Sequence, residues 1–120
     1  MLYTNLNHLE TAADQTRVIS ENRNVMIVCG RMDPASVAVY RIAEKLQKKY
    51  TQVKFFDMEF DNPESDLLKS LLKCISIREI PVTGFFKEGK LTNVFIGLLK
   101  PEQLNFLLNK EFMINFKLIN

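Results

Sequence analysis

Apolar residues follow two periods along this chain, and the changes between them mark its elements. From Leu6 to Glu21 apolar residues recur at helical spacing, which predicts an amphipathic helix. Two runs, VMIVC at 25–29 and VKFFDMEF at 53–60, are short, apolar and rich in β-branched or aromatic residues, as is typical of buried strands. The opening LYTN at 2–5 is a further short candidate strand.

Three more helices are marked by how they begin. Asp33 before Pro34, and Asn62 before Pro63, each place a capping side chain ahead of a proline suited to the first helical position. The last helix, in KPEQLNFLLNK at 100–110, begins near Pro101. The positions predicted to face the core are Ala35, Val39, Ile42, Ala43, Leu46 and Tyr50, then Leu67, Leu68, Leu71 and Leu72, and finally Leu104, Leu107 and Leu108.

The segment IPVTGFFKEGKLTNVFIG at 80–97 predicts a β-hairpin. Two strand-like runs flank Glu88 and Gly89, a two-residue turn in which glycine supplies the positive φ. The full order is therefore β-α-β-α-β-α-β-β-α. Alternating strands and helices imply parallel strands with right-handed crossovers, and the hairpin adds antiparallel strands. The predicted fold class is α/β, with a mixed sheet covered by helices on both faces.

Length and composition are those of one domain with an apolar tail. The chain has 120 residues, of which 47% are hydrophobic, enough for an ordinary core. We assign residues 1–110 to a single domain and 111–120 to a C-terminal apolar extension. This extension is a candidate for self-association into a homo-oligomer. Its apolar residues are Phe112, Met113, Ile114, Phe116, Leu118 and Ile119.

Charge and hydropathy argue against two classes of partner. A net charge of +2 is too small to indicate nucleic-acid binding. No apolar run approaches the roughly 20 residues that span a bilayer, so no membrane association is expected. The first residues lack the basic segment and apolar core of a signal peptide, and a cytoplasmic location is the expectation.

The cysteines and the histidine do not form a metal motif. Cys29 and Cys74 are far apart and too few for a disulfide scaffold. The one histidine, His8, falls in the first predicted helix, where a solvent-facing position is expected. Because no C-x-x-C or H-x-x-x-H spacing occurs, neither a metal site nor a cofactor is predicted.

The order of elements, together with a set of C-terminal residues, resembles the thioredoxin family over about residues 2–110. The residues that carry the resemblance are Ile80-Pro81, Phe85-Phe86-Lys87, Gly89, Gly97 and Gln103-Leu104. The segment VKFFDMEFDNP also looks like the family's third strand and the turn after it. The resemblance implies a thioredoxin-like three-layer fold, with the parallel core and C-terminal β-hairpin already predicted.

The resemblance does not extend to the residues that carry the family's chemistry. The Cys-x-x-Cys of the family falls on Asp33-Pro34-Ala35-Ser36, and the tryptophan before it falls on Met32. The family's buried acid corresponds to Ile27, and another of its tryptophans to Cys29. Disulfide exchange needs an attacking thiolate and a resolving thiol. Neither Asp33 nor Ser36 can supply these, so two-cysteine chemistry at these degenerate redox positions is excluded.

Two interpretations of the loop before the second helix stay open. Asp33 is either a helix cap, worth about 1 kcal/mol, or part of a polar binding surface with Arg31. The resemblance further implies that Pro81 is preceded by a cis bond and that the backbone of Ile80 pairs with an extended peptide. The alternative for Pro81 is a purely structural turn. The candidate binding surface consists of Arg31, Met32, Asp33, Pro34, Ile80, Pro81 and Gly97.

These residues support two hypotheses about function. The first is a thioredoxin-like binding or scaffold domain without dithiol chemistry, whose partner is a protein or peptide in extended conformation. The second is an atypical thiol-disulfide oxidoreductase, acting in redox homeostasis through Cys29, with or without Cys74. Cys29 lies at the end of a predicted buried strand, where an inert core residue is the simpler expectation because burial suppresses thiolate formation.

Overall fold

A computed structural model describes residues 2–74 and 76–114, apart from the side chain of Ile77. The order of strands and helices is the predicted β-α-β-α-β-α-β-β-α. Short 3-10 helices precede and follow the third α-helix, at Pro63–Ser65 and Ile77–Glu79. The elements are β1 (Asn7–Leu9), α1 (Ala12–Glu21), β2 (Asn24–Gly30), α2 (Pro34–Leu46), β3 (Lys54–Glu59), α3 (Asp66–Leu72), β4 (Val82–Lys87), β5 (Lys90–Ile96) and α4 (Pro101–Phe112).

The five strands form one mixed sheet in the order β1-β3-β2-β4-β5. β1, β3 and β2 run parallel, whereas β4 is antiparallel to β2 and β5 is antiparallel to β4. β2 is central, and Ile27 lies between Phe56 of β3 and Gly84 of β4. The predicted α/β fold class, the parallel core and the C-terminal hairpin are confirmed, with the turn formed by Glu88 and Gly89, both at positive φ.

Helices cover both faces of the sheet because side chains alternate along each strand. On one face Phe85 packs in a cluster with residues of α2 and α4, such as Tyr40 and Leu108. On the other face Ile27 packs in a cluster with residues of α1 and α3, such as Leu68. The result is the three-layer arrangement that the apolar runs predict.

The N-terminal segment differs from the prediction. The strand expected at 2–5 is absent, and the helix expected from Leu6 begins only at Ala12, because β1 occupies Asn7–Leu9. Thr11 sets the helix start through a capping box. Its hydroxyl accepts a hydrogen bond from the Asp14 N–H at 3.0 Å, and the Asp14 carboxylate accepts one from the Thr11 N–H at 3.3 Å.

The third helix is shorter than predicted and buries only one stripe. Asn62 caps the 3-10 turn by accepting a hydrogen bond from the Glu64 N–H at 2.9 Å, and α3 begins only after that turn. Leu68 and Leu72 are buried as predicted, but Leu67 and Leu71 are exposed. A seven-residue helix lying on a sheet reaches it only with residues spaced one turn apart.

The last helix continues to Phe112, whose ring packs 6.2 Å from that of Phe85, centroid to centroid. Hydrogen bonds to Tyr50 also hold α4 in place. The Tyr50 hydroxyl lies 2.6 Å from Oδ1 of Asn105 and 2.8 Å from Oδ1 of Asn109. Of the six apolar residues predicted to mediate self-association, Phe116, Leu118 and Ile119 lie outside the described residues, whereas Phe112 is buried in the core and Met113 is exposed. No helix in the described part is long and apolar enough to cross a bilayer.

Candidate functional site

Asp33 caps α2 at the position where the family resemblance places a thiol. Its Oδ2 accepts a hydrogen bond from the Ser36 N–H at 3.3 Å, and its carbonyl accepts one from the Val37 N–H at 2.9 Å. Pro34 follows as the first helical residue. The interpretation of Asp33 as a helix cap is confirmed. The carboxylate also places its negative charge at the positive end of the helix dipole.

Ser36, the second of the degenerate redox positions, lies inside the protein. Its side chain is fully buried, and its Oγ accepts a weak hydrogen bond from the Arg31 N–H at 3.4 Å. The chain approaches closely here, since a Cβ on Gly30 would lie 2.6 Å from Ser36 Oγ and 2.8 Å from the Tyr40 hydroxyl. A side chain at position 30 would therefore clash, which accounts for the glycine at the end of β2. Ser36 has a packing role at this junction.

The Arg31 side chain contacts residues just after the end of β3. Its Nη2 lies 2.5 Å from Oδ1 of Asp61, and its guanidinium lies 5.8 Å from the centre of the Phe60 ring. Lys69 Nζ approaches the same ring to 4.1 Å. Both partners of the Arg31–Asp61 pair are about half exposed, so the pair orients the side chain more than it stabilises the fold.

Three loops meet at one end of the sheet. Cys29 pairs with Val82, and Val82 pairs with Ile96, so the chain leaves β2, enters β4 and leaves β5 at the same end. The bond between Ile80 and Pro81 is cis. The Pro81 carbonyl accepts a hydrogen bond from the Gly97 N–H at 2.7 Å. Ile80 is half-buried and directly follows the 3-10 helix Ile77–Glu79, and the Pro81 side chain is buried.

Exposed apolar side chains surround this point. Met32 is exposed, as predicted for the candidate surface, but Ile96 at 52% and Leu98 at 57% exposure are larger contributors that the sequence argument missed. The sequence feature that could have indicated the exposure of Ile96 and Leu98 is Gly97. A glycine after an apolar strand turns the chain, and of the two leucines that follow it only Leu99 is buried. We call Met32, Ile80, Pro81, Ile96, Gly97 and Leu98 the Pro81 surface.

Neither thiol reaches this surface. Cys29 is completely buried, and burial raises the pKa of its thiol to about 12, with nearby Cys74 adding to the shift. Cys74 is also buried, and burial raises its pKa as well. Both cysteines are free thiols. Cys29 is therefore a buried core residue, as its place at the end of an apolar strand predicts.

A buried acid does exist, but on a different strand from the one considered in the sequence. Asp57, on β3, is almost fully buried, and its Oδ1 lies 2.7 Å from Nδ1 of His8. The Thr4 hydroxyl donates to its other oxygen. Burial raises the pKa of Asp57 although these bonds oppose the rise. The prediction of His8 on a helix is wrong, because its strand pairing with β3 places it beside Asp57.

His8 and Asp57 line a cavity of about 270 Å³, whose other polar side chains are those of Glu10, Glu59 and Asn62. Within the described ranges, no three histidine, cysteine or acidic side chains are arranged to hold a metal ion. The cavity opens where β1 and β3 end, beside the short edge strand β1 and at the opposite edge of the sheet from β5.

Solved structures resemble this chain closely in shape and weakly in sequence. Plasmodium falciparum thioredoxin is 19% identical, with 88% of this chain and 98% of that chain covered and a TM-score of 0.76. Fasciola hepatica thioredoxin is 23% identical over 88% and 99%, with a TM-score of 0.74. A chain from work on the thiol resolving mechanism of yeast mitochondrial 1-Cys peroxiredoxin is 21% identical over 92% and 99%, with a TM-score of 0.76.

The sequence matches no protein-family model and no curated protein. At identities of this size the structural likeness establishes the fold and leaves the activity to the residues of this chain. The resemblance drawn from the C-terminal residues is thereby confirmed at the level of the fold. The protein has the thioredoxin fold, with Asp33 and Ser36 at the positions that the resemblance assigns to the two thiols.

Proposed function

We propose that this chain is a thioredoxin-fold binding domain that holds an extended polypeptide on the Pro81 surface and performs no dithiol exchange. The observation that carries the proposal is the pairing of two features at one end of the sheet. Asp33 and Ser36 are committed to the start of α2, whereas the side chains of Ile96 and Leu98 are exposed beside the cis bond between Ile80 and Pro81.

An extended segment suits this surface for two physical reasons. Ile80 lies in the non-strand segment just before β4, where a polypeptide laid alongside can pair with the main chain by adding a short strand. Ile96 and Leu98 flank the same position with apolar area whose burial is worth roughly 25 cal/mol per Å². Main-chain bonds give affinity in this mode, and the apolar contacts select the side chains of the partner.

The alternative, a thiol enzyme acting through Cys29, receives less support. An attacking thiol must be exposed and must form a thiolate near neutral pH. Cys29 is fully buried with its pKa raised to about 12, and Cys74 is buried beside it. A partner on the Pro81 surface would meet Asp33 and Met32, and no sulfur able to exchange with a disulfide.

Reinstating the thiols tests the surface directly. The variant Asp33→Cys/Ser36→Cys carries a Cys-x-x-Cys at a helix start, where the dipole lowers the pKa of the first thiol. We expect the wild-type chain to leave the reduction of insulin disulfides by dithiothreitol unaccelerated, and the double variant to accelerate it by roughly tenfold or more. Insulin turbidity measures both.

A third substitution separates binding from thiol chemistry. Adding Leu98→Glu to the double variant should lower the insulin-reduction rate while the alkylation rate of the new thiols stays the same. Leu91→Glu, at the opposite end of β5, is the matched control and should have little effect. Catalysis by the wild-type chain would exclude a redox-inactive domain. Equal rates with and without Leu98→Glu would exclude the Pro81 surface as the binding site.

A further inference from the structure

Strand β5 is an open edge of the sheet. It pairs with β4 on one side, and the described sheet ends there on the other. It is seven residues long, whereas β1 at the opposite edge has only three. An edge strand of this length presents a row of unpaired N–H and C=O groups, which is a template for pairing with another strand.

β5 has few of the features that usually prevent an edge strand from pairing with another chain. Natural edges are blunted by charges, prolines or bulges. Here the stretch from Leu91 to Leu99 has no charged residue and no proline. Lys90 stands only at the start of the strand, and the bulge in the described pairing with β4 lies in the first half of β5, where Thr92 is the extra residue between Leu91 and Asn93. The later half, 93–96, is uncharged and regularly paired with β4. The Val94 N–H there donates to Asn93 Oδ1 at 2.8 Å, a bond that pairing with another strand replaces.

An apolar groove runs along the same edge between β5 and α4. It has a volume of about 380 Å³ and is lined by Phe95 and Phe106 together with Glu102, Gln103 and Leu107. Phe106 lies on α4 with 62% of its surface exposed. Exposed aromatic area next to an open strand edge is typical of a protein interface.

We propose that two copies of this chain pair through β5, antiparallel, about a two-fold axis perpendicular to the sheet. Such an axis keeps the α4 helices of both copies on the same face of the joined sheet. The two grooves then face each other across the paired strands, and Phe95 and Phe106 of one copy contact the same residues of the other. The interface is isologous and closed, as expected of a homodimer.

Charge selects a second copy as the occupant. Lys90 lies at the start of β5, and Glu102 lines the groove near its far end beside Phe95. Antiparallel pairing brings the Lys90 end of one strand to the Glu102 end of the other, and the symmetry repeats the match. The uncharged centre of the strand meets itself without repulsion between like charges. Both the ends and the middle of this edge are therefore self-complementary.

The test is the oligomeric state of the full chain, measured by sedimentation equilibrium from about 10 µM to about 1 mM. We expect a concentration-dependent dimer. Phe106→Glu places a charge at the centre of the interface and should raise the dimer Kd by roughly tenfold or more. Tyr3→Glu alters an equally exposed aromatic residue, at 68%, near the other edge of the sheet, and should leave the Kd unchanged.

Amide hydrogen exchange tests the strand pairing itself. The amides of β5 that do not bond to β4 should exchange more slowly at high than at low protein concentration, and Phe106→Glu should remove the difference. A monomer throughout the concentration range would overturn the proposal. So would a dimer that resists Phe106→Glu but dissociates with Phe116→Glu/Leu118→Glu, because the tail would then form the contact.

Discussion

Cys29 is the cysteine nearest in sequence to the start of α2. The residue sits at the end of a strand that is buried on both faces, between Met58 of β3 and Val82 of β4. With a pKa of about 12, roughly one thiol in ten thousand is ionised at pH 8. Burial therefore suppresses both the nucleophile and its access to a partner.

The alkylation of Cys29 should follow this pKa. In the Cys74→Ala variant, which isolates Cys29, we expect iodoacetamide to modify the folded protein far more slowly than the protein in denaturant. Because the folded-state pKa is raised to about 12, the rate should keep rising roughly tenfold per pH unit beyond pH 9. A rate that levels off below pH 8 would show a reactive thiol and revive the enzyme hypothesis.

Asp57 shows where residue-level prediction from sequence ends. Its strand pattern, with apolar neighbours on both sides, indicates burial. Its partners Thr4 and His8 are 53 and 49 residues away in sequence, so no local spacing reveals them. By contrast, the loss of dithiol chemistry at Asp33 and Ser36 follows from residue identity alone, since neither side chain carries sulfur.

At the scale of elements, local chemistry decides how well a helix start is predicted. Asp33 and Pro34 specify the start of α2 without help from the rest of the fold, and the structure begins the helix there. The start of α1 was misplaced because Leu6 and Leu9 satisfy a helical spacing and also a short strand. The tertiary pairing of β1 with β3 settles the choice, and a single sequence does not contain it.

The cap of α2 should contribute measurably to stability. Asp33→Ala removes the acceptor for the Ser36 N–H and should lower the free energy of unfolding by about 1 kcal/mol. Asp33→Asn keeps an acceptor oxygen at the same place and should cost much less. Urea denaturation of the three proteins gives the comparison. Equal stability of Asp33→Ala and wild type would mean that water replaces the cap without cost.

For the whole molecule, the order of elements predicts the architecture because βαβ handedness and hairpin geometry leave few alternatives. The family resemblance, and not the order of elements, grouped Arg31, Ile80 and Gly97 in one candidate surface, and the structure brings the strand ends next to them to one end of the sheet. What the order of elements does not predict is exposure. That Leu98 lies outside and Leu99 inside depends on where α4 docks against the sheet, which is a property of the assembled layers.

The pH dependence of global stability is set in part by the buried acid of β3. Burial raises the pKa of Asp57 above its usual 3.8, and neighbouring Glu44 raises it further, while Thr4 and His8 oppose the rise. As the pH increases, the unfolded chain therefore loses this proton before the folded chain does. Ionisation of Asp57 favours the unfolded state, so its contribution to stability is present at low pH and is lost as the pH rises through the raised pKa.

Asp57→Asn should remove this dependence. We expect the stability of the variant relative to wild type to improve as the pH rises above 4, until Asp57 of the folded wild type has ionised, whatever the cost of the altered bonds to Thr4 and His8 at a single pH. Asp66→Asn removes one negative charge from an exposed position and controls for net charge. Thermal unfolding at each pH gives the three curves. A constant difference in stability between Asp57→Asn and wild type across this range would contradict the prediction. It would mean that Asp57 has the same pKa in the folded and unfolded chains, because the bonds to Thr4 and His8 lower the pKa as much as burial raises it.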